Sequence, residues 1–410
     1  MAVEQGLGPM DPRHRQADPQ LLNLHLLRFA AACAVFYEHL MPHIAMGLSS
    51  SGGRLDAGFE ALRSVAVLGA DVFFLISGFL IWQLSAELSG AAPAWEFLRR
   101  RIARVYSGYW PFVGLALLLY FVYFPERVED KNLVLSFSLL PAPWADTTAL
   151  LPDTLMLPVA WTLIYEIYFY LLLTLLAALG LWHRRWVLPL GIGLSLLATV
   201  WAWASDAFAL PGLLQRPVAA TLYLTPYLLQ FLIGAWLARS LRGRRLASPW
   251  LFAALAGGGL LVFGWANLVH FQGGLISGVW TPQRVVLALP AIVALLLCAL
   301  SLDQRGRCAF PVLARPLGEA TFAIYLLHTL GLLWVVTSGL HAWLVEQRMV
   351  ISGYLLVSLG IIGLSVLYAH WIDRPLYAAA RKLMRAKGRS RLDPSALQVY
   401  PQEAAGRDWR

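Results

Sequence analysis

The composition of this chain is that of a membrane protein. Of its 410 residues, 59% are apolar and only 13% are charged, whereas about a quarter of the residues of a soluble domain are charged. Apolar runs of about 20 residues, the length of a membrane-spanning helix, recur along the chain. These figures exclude a soluble globule and predict an all-α, polytopic integral membrane protein.

The net charge and the cysteines narrow the classes of function. In a membrane protein, the net charge of +9 reports the side of the membrane on which the loops lie, so we predict no nucleic-acid partner. The three cysteines are scattered, and Cys33 and Cys298 lie inside apolar runs. Neither a disulfide nor a metal site is therefore predicted.

In chain order, the sequence divides into three parts. Residues 1–20 form a polar N-terminal segment, residues 21–375 a membrane domain and residues 376–410 a basic cytoplasmic tail. No small-residue cleavage site follows the first apolar run, so we interpret this run as a retained span and not as a signal peptide. The membrane domain contains about ten apolar stretches that predict transmembrane helices, near residues 22–44, 64–84, 105–124, 157–181, 187–204, 219–238, 249–269, 284–302, 319–338 and 350–372.

The basic residues predict the orientation of these helices. With ten spans and both termini on one side, 24 of the 32 Lys and Arg residues fall on the side of the termini and seven on the other, while Arg28 lies inside the first span. Because Lys and Arg are enriched in cytoplasmic loops, both termini are predicted to be cytoplasmic.

Two segments lie outside the predicted spans. Residues 125–156 are rich in proline and acidic residues, and their apolar stretch at 133–140 is too short to cross a bilayer, which predicts a re-entrant or interfacial piece. The basic tail after Pro375 is amphipathic. It is predicted to lie on the anionic inner leaflet, with membrane lipids as its partners.

Ionisable residues inside a span are costly, so each one is a candidate functional residue. Arg28 and His39 lie on one face of the first helix, about 20° apart around its axis and about 16 Å apart along it. Asp71 in the second span and Glu166 in the fourth lie at a depth comparable with that of His39. We predict that His39 is a general base and that Asp71 or Glu166 orients it.

A second group of charges lies at the predicted cytoplasmic mouth. Arg101 and Arg104 open the third span on one helical face. Together with Arg28, they would form a guanidinium cluster suited to bidentate binding of phosphate. Near mid-membrane, the ninth span adds Tyr325 and His328.

Simpler interpretations stay open for these residues. The basic run at residues 99–104 also serves as a topology signal, Asp71 could neutralise Arg28 or a charge on another helix, and His328 could be a hydrogen-bonded packing residue. A proton-coupled or glycan/acyl transporter would use the same intramembrane His, Asp and Glu. Against a transporter, the chain has no internal repeat and no matching pair of helices broken by glycine or proline.

Five motifs, in order, resemble those of the acyltransferase 3 family of integral membrane O-acyltransferases, and the resemblance covers about residues 20–378. Two positions depart from the family pattern: Ser107 stands where the family usually has proline, and Asp373 where it has glutamate. The motifs are Arg28-x10-His39, Gly69-Ala-Asp71-Val-Phe73-Phe74-Leu-Ile-Ser77-Gly78-Phe79, Arg101-Ile-Ala-Arg104-Val-Tyr106, Trp161-Thr-Leu with Glu166 and Phe169-Tyr170, and Tyr325-Leu-Leu-His328.

The resemblance implies an enzyme that moves an acyl group, acetyl in the first instance, from cytoplasmic acyl-CoA to a hydroxyl of an exported or lipid-linked carbohydrate. It implies a bacterial inner membrane, and acyl-CoA as a donor substrate with no tightly bound cofactor. His39 is the implied catalytic residue, and the arginine motif is implied in acyl-CoA binding. We therefore assign catalysis to His39, Asp71 and Glu166, and substrate binding to Arg28, Arg101, Arg104, Trp161, Tyr325 and His328.

Overall fold

The structure, a computed structural model, describes residues 21–50, 57–86, 88–141, 154–204, 226–272 and 282–385. Every regular element in these ranges is helical, as predicted. The α-helices are, in chain order, α1 (Leu22–Ser50), α2 (Ala57–Ala66), α3 (Gly69–Leu84), α4 (Ala91–Tyr123), α5 (Leu133–Ser138), α6 (Trp161–Ala178), α7 (Val187–Ala204), α8 (Pro226–Ser240), α9 (Pro249–Trp265), α10 (Pro282–Gln304), α11 (Pro311–Thr337), α12 (Leu340–Glu346), α13 (Val350–Tyr368) and α14 (Arg374–Arg385).

Seven segments within the described ranges are long and apolar enough to cross a membrane, so the chain is a multi-pass membrane protein. Helices α1, α7 and α8 correspond to the three other predicted stretches, and residues 219–225 of the stretch predicted at 219–238 lie outside the described residues. The ten-span topology and the cytoplasmic side of the termini stay predictions. The seven segments are Gly58–Leu84, Ala91–Tyr123, Pro158–Ala178, Pro249–His270, Gln283–Gln304, Pro311–Thr337 and Val350–Leu383.

Two helix boundaries differ from the sequence prediction. The stretch predicted at 64–84 is divided, because α2 ends at Ala66 and α3 begins at Gly69 after a turn. Helix α4 begins at Ala91 and not near 105, so the arginines at 99–104 lie on the helix itself. Charged residues lower the hydropathy of a helix end without breaking the helix, since arginine is a good helix former.

Helix α3 lies at the centre of the bundle and packs against α8 and α1. The backbones of α3 and α8 approach so closely that a Cβ atom on Gly78 would lie 1.9 Å from a carbonyl oxygen of α8, and one on Gly234 2.0 Å from a carbonyl oxygen of α3. Small residues allow such backbone contact between membrane helices. The contact brings Gln230 of α8 beside Asp71 of α3.

The segment before α6 turns back along α4. Tyr109 and Trp110 of α4 donate hydrogen bonds to carbonyl oxygens in the last turn of α5, at 2.7 and 3.0 Å, and Tyr106 donates a third. These α4 residues lie about 20 to 25 Å from the end of that helix at Tyr123, at 1.5 Å per residue. This position favours the re-entrant alternative for the stretch at 133–140; residues 142–153 lie outside the described residues.

Candidate active site

Four arginines line one cavity of about 250 Å³, which we call the arginine cavity. They are Arg28 from α1, Arg101 and Arg104 from α4, and Arg381 from α14. The structure thus brings together the three arginines of the predicted cluster and adds a fourth. The other polar side chains that line this cavity are Ser77, Thr162, Glu166, Tyr170, Thr321, Tyr325 and Tyr377.

Arg104 is anchored where three helices meet. Its Nη1 donates to a carboxylate oxygen of Asp373 at 2.6 Å. Its guanidinium lies over the rings of Phe322 and Tyr377, at 5.7 and 5.5 Å from the ring centroids. These contacts tie α4 to α11 and α14, and they hold a cation at the wall of the cavity.

Arg101 has a donor that the described residues leave unsatisfied. Its guanidinium lies 5.6 Å from the centroid of the Phe97 ring. Its Nε is buried, and it has no hydrogen-bond partner among the described residues. Because an unpaired buried donor is costly, an anion in the arginine cavity would stabilise this side chain.

Sequence reasoning missed Arg381, because it assigned the basic tail to the lipid surface. Helix α14 instead packs against α4. Arg374, at its first position, donates to the buried carboxylate of Glu319 in α11. Tyr377 and Arg381 follow one turn apart and line the arginine cavity. Their i, i+4 spacing was the available signal that they share one helical face.

Glu166 lies in the arginine cavity and not beside His39. Its carboxylate accepts a hydrogen bond from Tyr170, one turn along α6. It is the one carboxylate among the described residues that line this cavity, where its negative charge offsets part of the charge of the arginines.

His39 lies in a second cavity of about 200 Å³, which we call the histidine cavity. Its walls come from α1, α3, α10, α11, the turn before α3 and the residues around the start of α6. Its lining residues are Val35, Glu38, His39, Val67, Ala70, Pro158, Val159, Trp161, Arg284 and Tyr325.

The imidazole of His39 is oriented by its own helix. Its Nδ1 lies 2.8 Å from the carbonyl oxygen of Val35 and 3.1 Å from a carboxylate oxygen of Glu38. Because either acceptor holds the proton on Nδ1, the lone pair of Nε2 is left to accept a proton. Glu38 is itself 3.5 Å from Arg63. The carboxylate beside His39 is therefore Glu38, which sequence reasoning did not select.

Asp71, one of the two carboxylates predicted to orient His39, has other hydrogen-bond partners. One carboxylate oxygen accepts from Nη2 and Nε of Arg284 at 2.6 and 3.2 Å, and the other accepts from Gln230 at 2.8 Å. These contacts agree with the alternative that Asp71 neutralises a charge on another helix, and the cation is Arg284. Equal depth in the membrane does not bring two side chains together, because depth leaves their direction around the helix undetermined.

The two cavities share Ala70 of α3 and Tyr325 of α11. The Tyr325 hydroxyl donates to the carbonyl oxygen of Val159 at 3.0 Å and accepts from Thr162 at 3.0 Å. These bonds tie α11 to the start of α6 at the point where the cavities adjoin. Arg28 and His39, predicted on one face of α1, line the arginine and histidine cavities respectively.

Trp161 and His328 are the remaining predicted site residues. Trp161 lines the histidine cavity and packs against Tyr165 and Tyr227, with ring centroids 5.8 and 5.5 Å apart. His328 is fully buried, and its ring centroid lies 5.2 Å from that of His39. Its Nδ1 donates to the carbonyl oxygen of Ile324 at 3.0 Å, while its Nε2 has no partner among the described residues.

Comparison with known proteins identifies a family for this chain. The family model of acyltransferase 3, described as an acyltransferase domain, matches residues 21–370. The chain is also similar to ExoZ, an exopolysaccharide production protein of Rhizobium meliloti (strain 1021). The two are 30% identical over 284 residues, which are 68% of this chain and 80% of that relative. No solved structure matches the chain.

Proposed function

The chain belongs to the acyltransferase 3 family of membrane O-acyltransferases, and we propose that it moves an acetyl group from acyl-CoA to a carbohydrate hydroxyl, with His39 as the general base.

The arginine cavity supports acyl-CoA as the donor. Acyl-CoA carries several phosphate groups on its nucleotide part, which a narrow pantetheine arm joins to the thioester. Guanidinium groups bind phosphate through two parallel hydrogen bonds. Arg28, Arg101 and Arg104 would hold these phosphates. The unsatisfied Nε of Arg101 is a donor that a phosphate oxygen would occupy.

The observation that carries the proposal is the junction of the two cavities at Ala70 and Tyr325. A thioester at the end of an arm anchored in the arginine cavity would meet His39 there. With Nδ1 protonated, Nε2 of His39 takes the proton of the attacking hydroxyl, and Glu38 stabilises the imidazolium that forms. Tyr325, Trp161 and the neighbouring His328 would shape the space in which the acyl group is transferred.

In this proposal, Asp71 and Glu166 act on arginine residues of the two cavities and not directly on His39. Asp71 holds Arg284 in the wall of the histidine cavity. Glu166 lies among the arginines and limits their mutual repulsion, so that the cavity is stable before the donor binds.

The similarity to ExoZ supports the proposed acceptor, and the distribution of basic residues supports the proposed orientation of the helices in the membrane. The name of ExoZ supports an exported or lipid-linked polysaccharide as the acceptor. The distribution of Lys and Arg supports ten spans with both termini in the cytoplasm. The bacterial inner membrane is the location that the family resemblance implies. In this topology, Arg28, Arg101 and Arg104 lie in the cytoplasmic halves of α1 and α4, and Arg381 follows the last span, on the side where acyl-CoA is present.

The variant His39→Ala tests the proposal. We expect it to lower acetyl transfer by about 10²- to 10⁴-fold, the usual contribution of a general base. The measurement is thiol release from acetyl-CoA by purified protein, with and without the polysaccharide, together with O-acetylation of the surface polysaccharide in cells. The matched control is His270→Ala, because His270 is exposed and lines neither cavity.

Two results would contradict the proposal. One is wild-type activity of the His39→Ala variant at normal abundance in the membrane. The other is an acetyl-CoA turnover that does not depend on an acceptor, since a transferase requires one.

A further inference from the structure

A buried arginine shares the histidine cavity with His39. Arg284 lies in the first turn of α10, and its side chain is only 4% exposed. Its Nε and Nη2 donate to Asp71 at 3.2 and 2.6 Å, and Nη2 also donates to the carbonyl oxygen of Val67 at 2.6 Å. The other oxygen of Asp71 accepts from Gln230. Both partners of a buried ion pair require hydrogen bonds of this kind.

The third guanidinium nitrogen of Arg284, Nη1, makes no hydrogen bond to the described residues, although the side chain lines the histidine cavity. A pair whose role is only to join α3 to α10 does not need the free Nη1 donor of an arginine. A neutral or apolar pair would hold the two helices with a smaller desolvation penalty. A fixed cation beside a general base is, by contrast, the arrangement that stabilises negative charge in an acyl-transfer transition state.

We propose that Arg284 is a catalytic residue whose Nη1 stabilises the oxyanion formed from the thioester carbonyl. This inference rests on the proposed function. The acceptor oxygen forms a bond to the carbonyl carbon, its proton passes to Nε2 of His39, and the π electron pair moves onto the carbonyl oxygen beside Arg284. The electron pair on the oxyanion then re-forms the carbonyl bond as the carbon–sulfur bond breaks, the sulfur leaves with the bonding pair, and His39 returns the proton to it. The products are an acyl ester and a free thiol.

Asp71 is the positioning residue in this step. By binding Nε and Nη2, it fixes the plane of the guanidinium and leaves Nη1 for the oxyanion. It also balances the charge of Arg284 in the absence of substrate, so that the cation is stable in the membrane interior.

The test uses purified full-length protein with acetyl-CoA and the polysaccharide acceptor. Three variants are compared: Arg284→Lys, Asp71→Asn, and the double variant Asp71→Asn with Arg284→Gln. The double variant keeps a neutral, hydrogen-bonded pair and leaves no unpaired charge, so a merely structural role would survive it. Arg284→Lys keeps the charge but loses the fork of donors, since an ammonium held by Asp71 does not reproduce the planar geometry.

We expect the double variant to lower kcat by about 10²- to 10³-fold, with the KM for acetyl-CoA within about threefold of the wild-type value, because the interaction exists only in the transition state. Arg284→Lys is expected to lower kcat in the same way, and Asp71→Asn is expected to keep more activity than either. If one of the two Arg284 variants fails to fold, the other still measures the effect.

Two results would overturn the inference. If the double variant retains more than about a tenth of the wild-type kcat, the pair is structural. If its loss of activity lies in the KM for acetyl-CoA, Arg284 binds the ground state. The His39→Ala variant in the same assay separates this inference from the proposed function: an active His39→Ala variant refutes the function, whereas an inactive one beside an active double variant refutes only the role of Arg284.

Discussion

The arginine cavity and the histidine cavity adjoin each other, but their charges differ. Four arginines and one carboxylate, Glu166, line the first. The second contains one arginine, which Asp71 neutralises, and the imidazole of His39 beside Glu38. A cavity with charge of one sign attracts and holds a ligand of the opposite sign. A nearly neutral cavity of fixed dipoles is instead suited to stabilising charge that appears only during a reaction.

Under the proposed function, this difference in charge separates the binding of the donor from the chemistry of acyl transfer. In the proposed function, the donor is bound by the four arginines of one cavity, whose combined positive charge exceeds the single negative charge of Glu166. The groups that are proposed to act on the thioester each lie beside a carboxylate: Glu38 beside His39 and Asp71 beside Arg284. The predictions below test this division.

Among variants of the cavity walls other than His39 and Arg284, the largest effect is expected at the junction of the two cavities. Ala70→Leu adds three carbon atoms to a side chain that lines both cavities. Because a misplacement of about 1 Å is enough to cost about 100-fold in rate, we expect the rate of acetyl transfer to fall by about that factor while the donor still binds. Kinetics and acetyl-CoA binding by calorimetry measure the two quantities. Ala70→Ser is the control, because serine is close to alanine in size. An unchanged kcat in Ala70→Leu would show that the acyl group does not pass this point.

An intermediate effect is expected within the arginine cavity. Arg101→Gln removes a charge-assisted hydrogen bond to phosphate, so the KM for acetyl-CoA should rise by about 10- to 100-fold, with an unchanged KM for the acceptor. Arg100→Gln is the control, because Arg100 bonds to Glu96 at 2.8 Å and lines neither cavity. Equal effects of the two variants would mean that the basic run acts only as a topology signal.

The smallest effect is expected at the rim of the arginine cavity. Arg381 is partly exposed, and solvent screens its interaction with phosphate, so Arg381→Gln should raise the KM for acetyl-CoA by only about two- to fivefold. The difference should shrink further as ionic strength increases. Lys382→Gln, at the exposed neighbouring position, is the control. If Arg381→Gln matches Arg101→Gln in size, α14 belongs to the donor site and not to its rim.

Much of the architecture was predictable from the sequence. The all-helical membrane class, the family and the enzyme class are confirmed, because long apolar runs and ordered motifs are local properties of the chain. Arg28, Arg101 and Arg104, which the sequence groups in one cluster, line one cavity in the structure. This grouping followed from helix periodicity and from the expectation that charges at the same end of neighbouring helices converge.

The partners of the buried charges were not predictable in this way. Glu38 was overlooked because adjacent helical residues point about 100° apart, and yet its side chain reaches Nδ1 of His39. Arg284 was counted among the loop residues because it stands at the edge of an apolar stretch, although it is buried against Asp71. Arg381 was assigned to the lipid surface because an amphipathic basic helix is typical of one.

The sequence by itself determined that the chain is a helical membrane acyltransferase, which residues lie within helices, and which of them carry charge at a cost. The tertiary structure decided how those charges are paired: His39 with Glu38, Asp71 with Arg284, and Glu166 with Tyr170. The physical reason is that depth in a membrane follows from position along a helix, whereas contact depends on the rotation and crossing of neighbouring helices. Close backbone contacts such as that of Gly78 with α8 set this crossing.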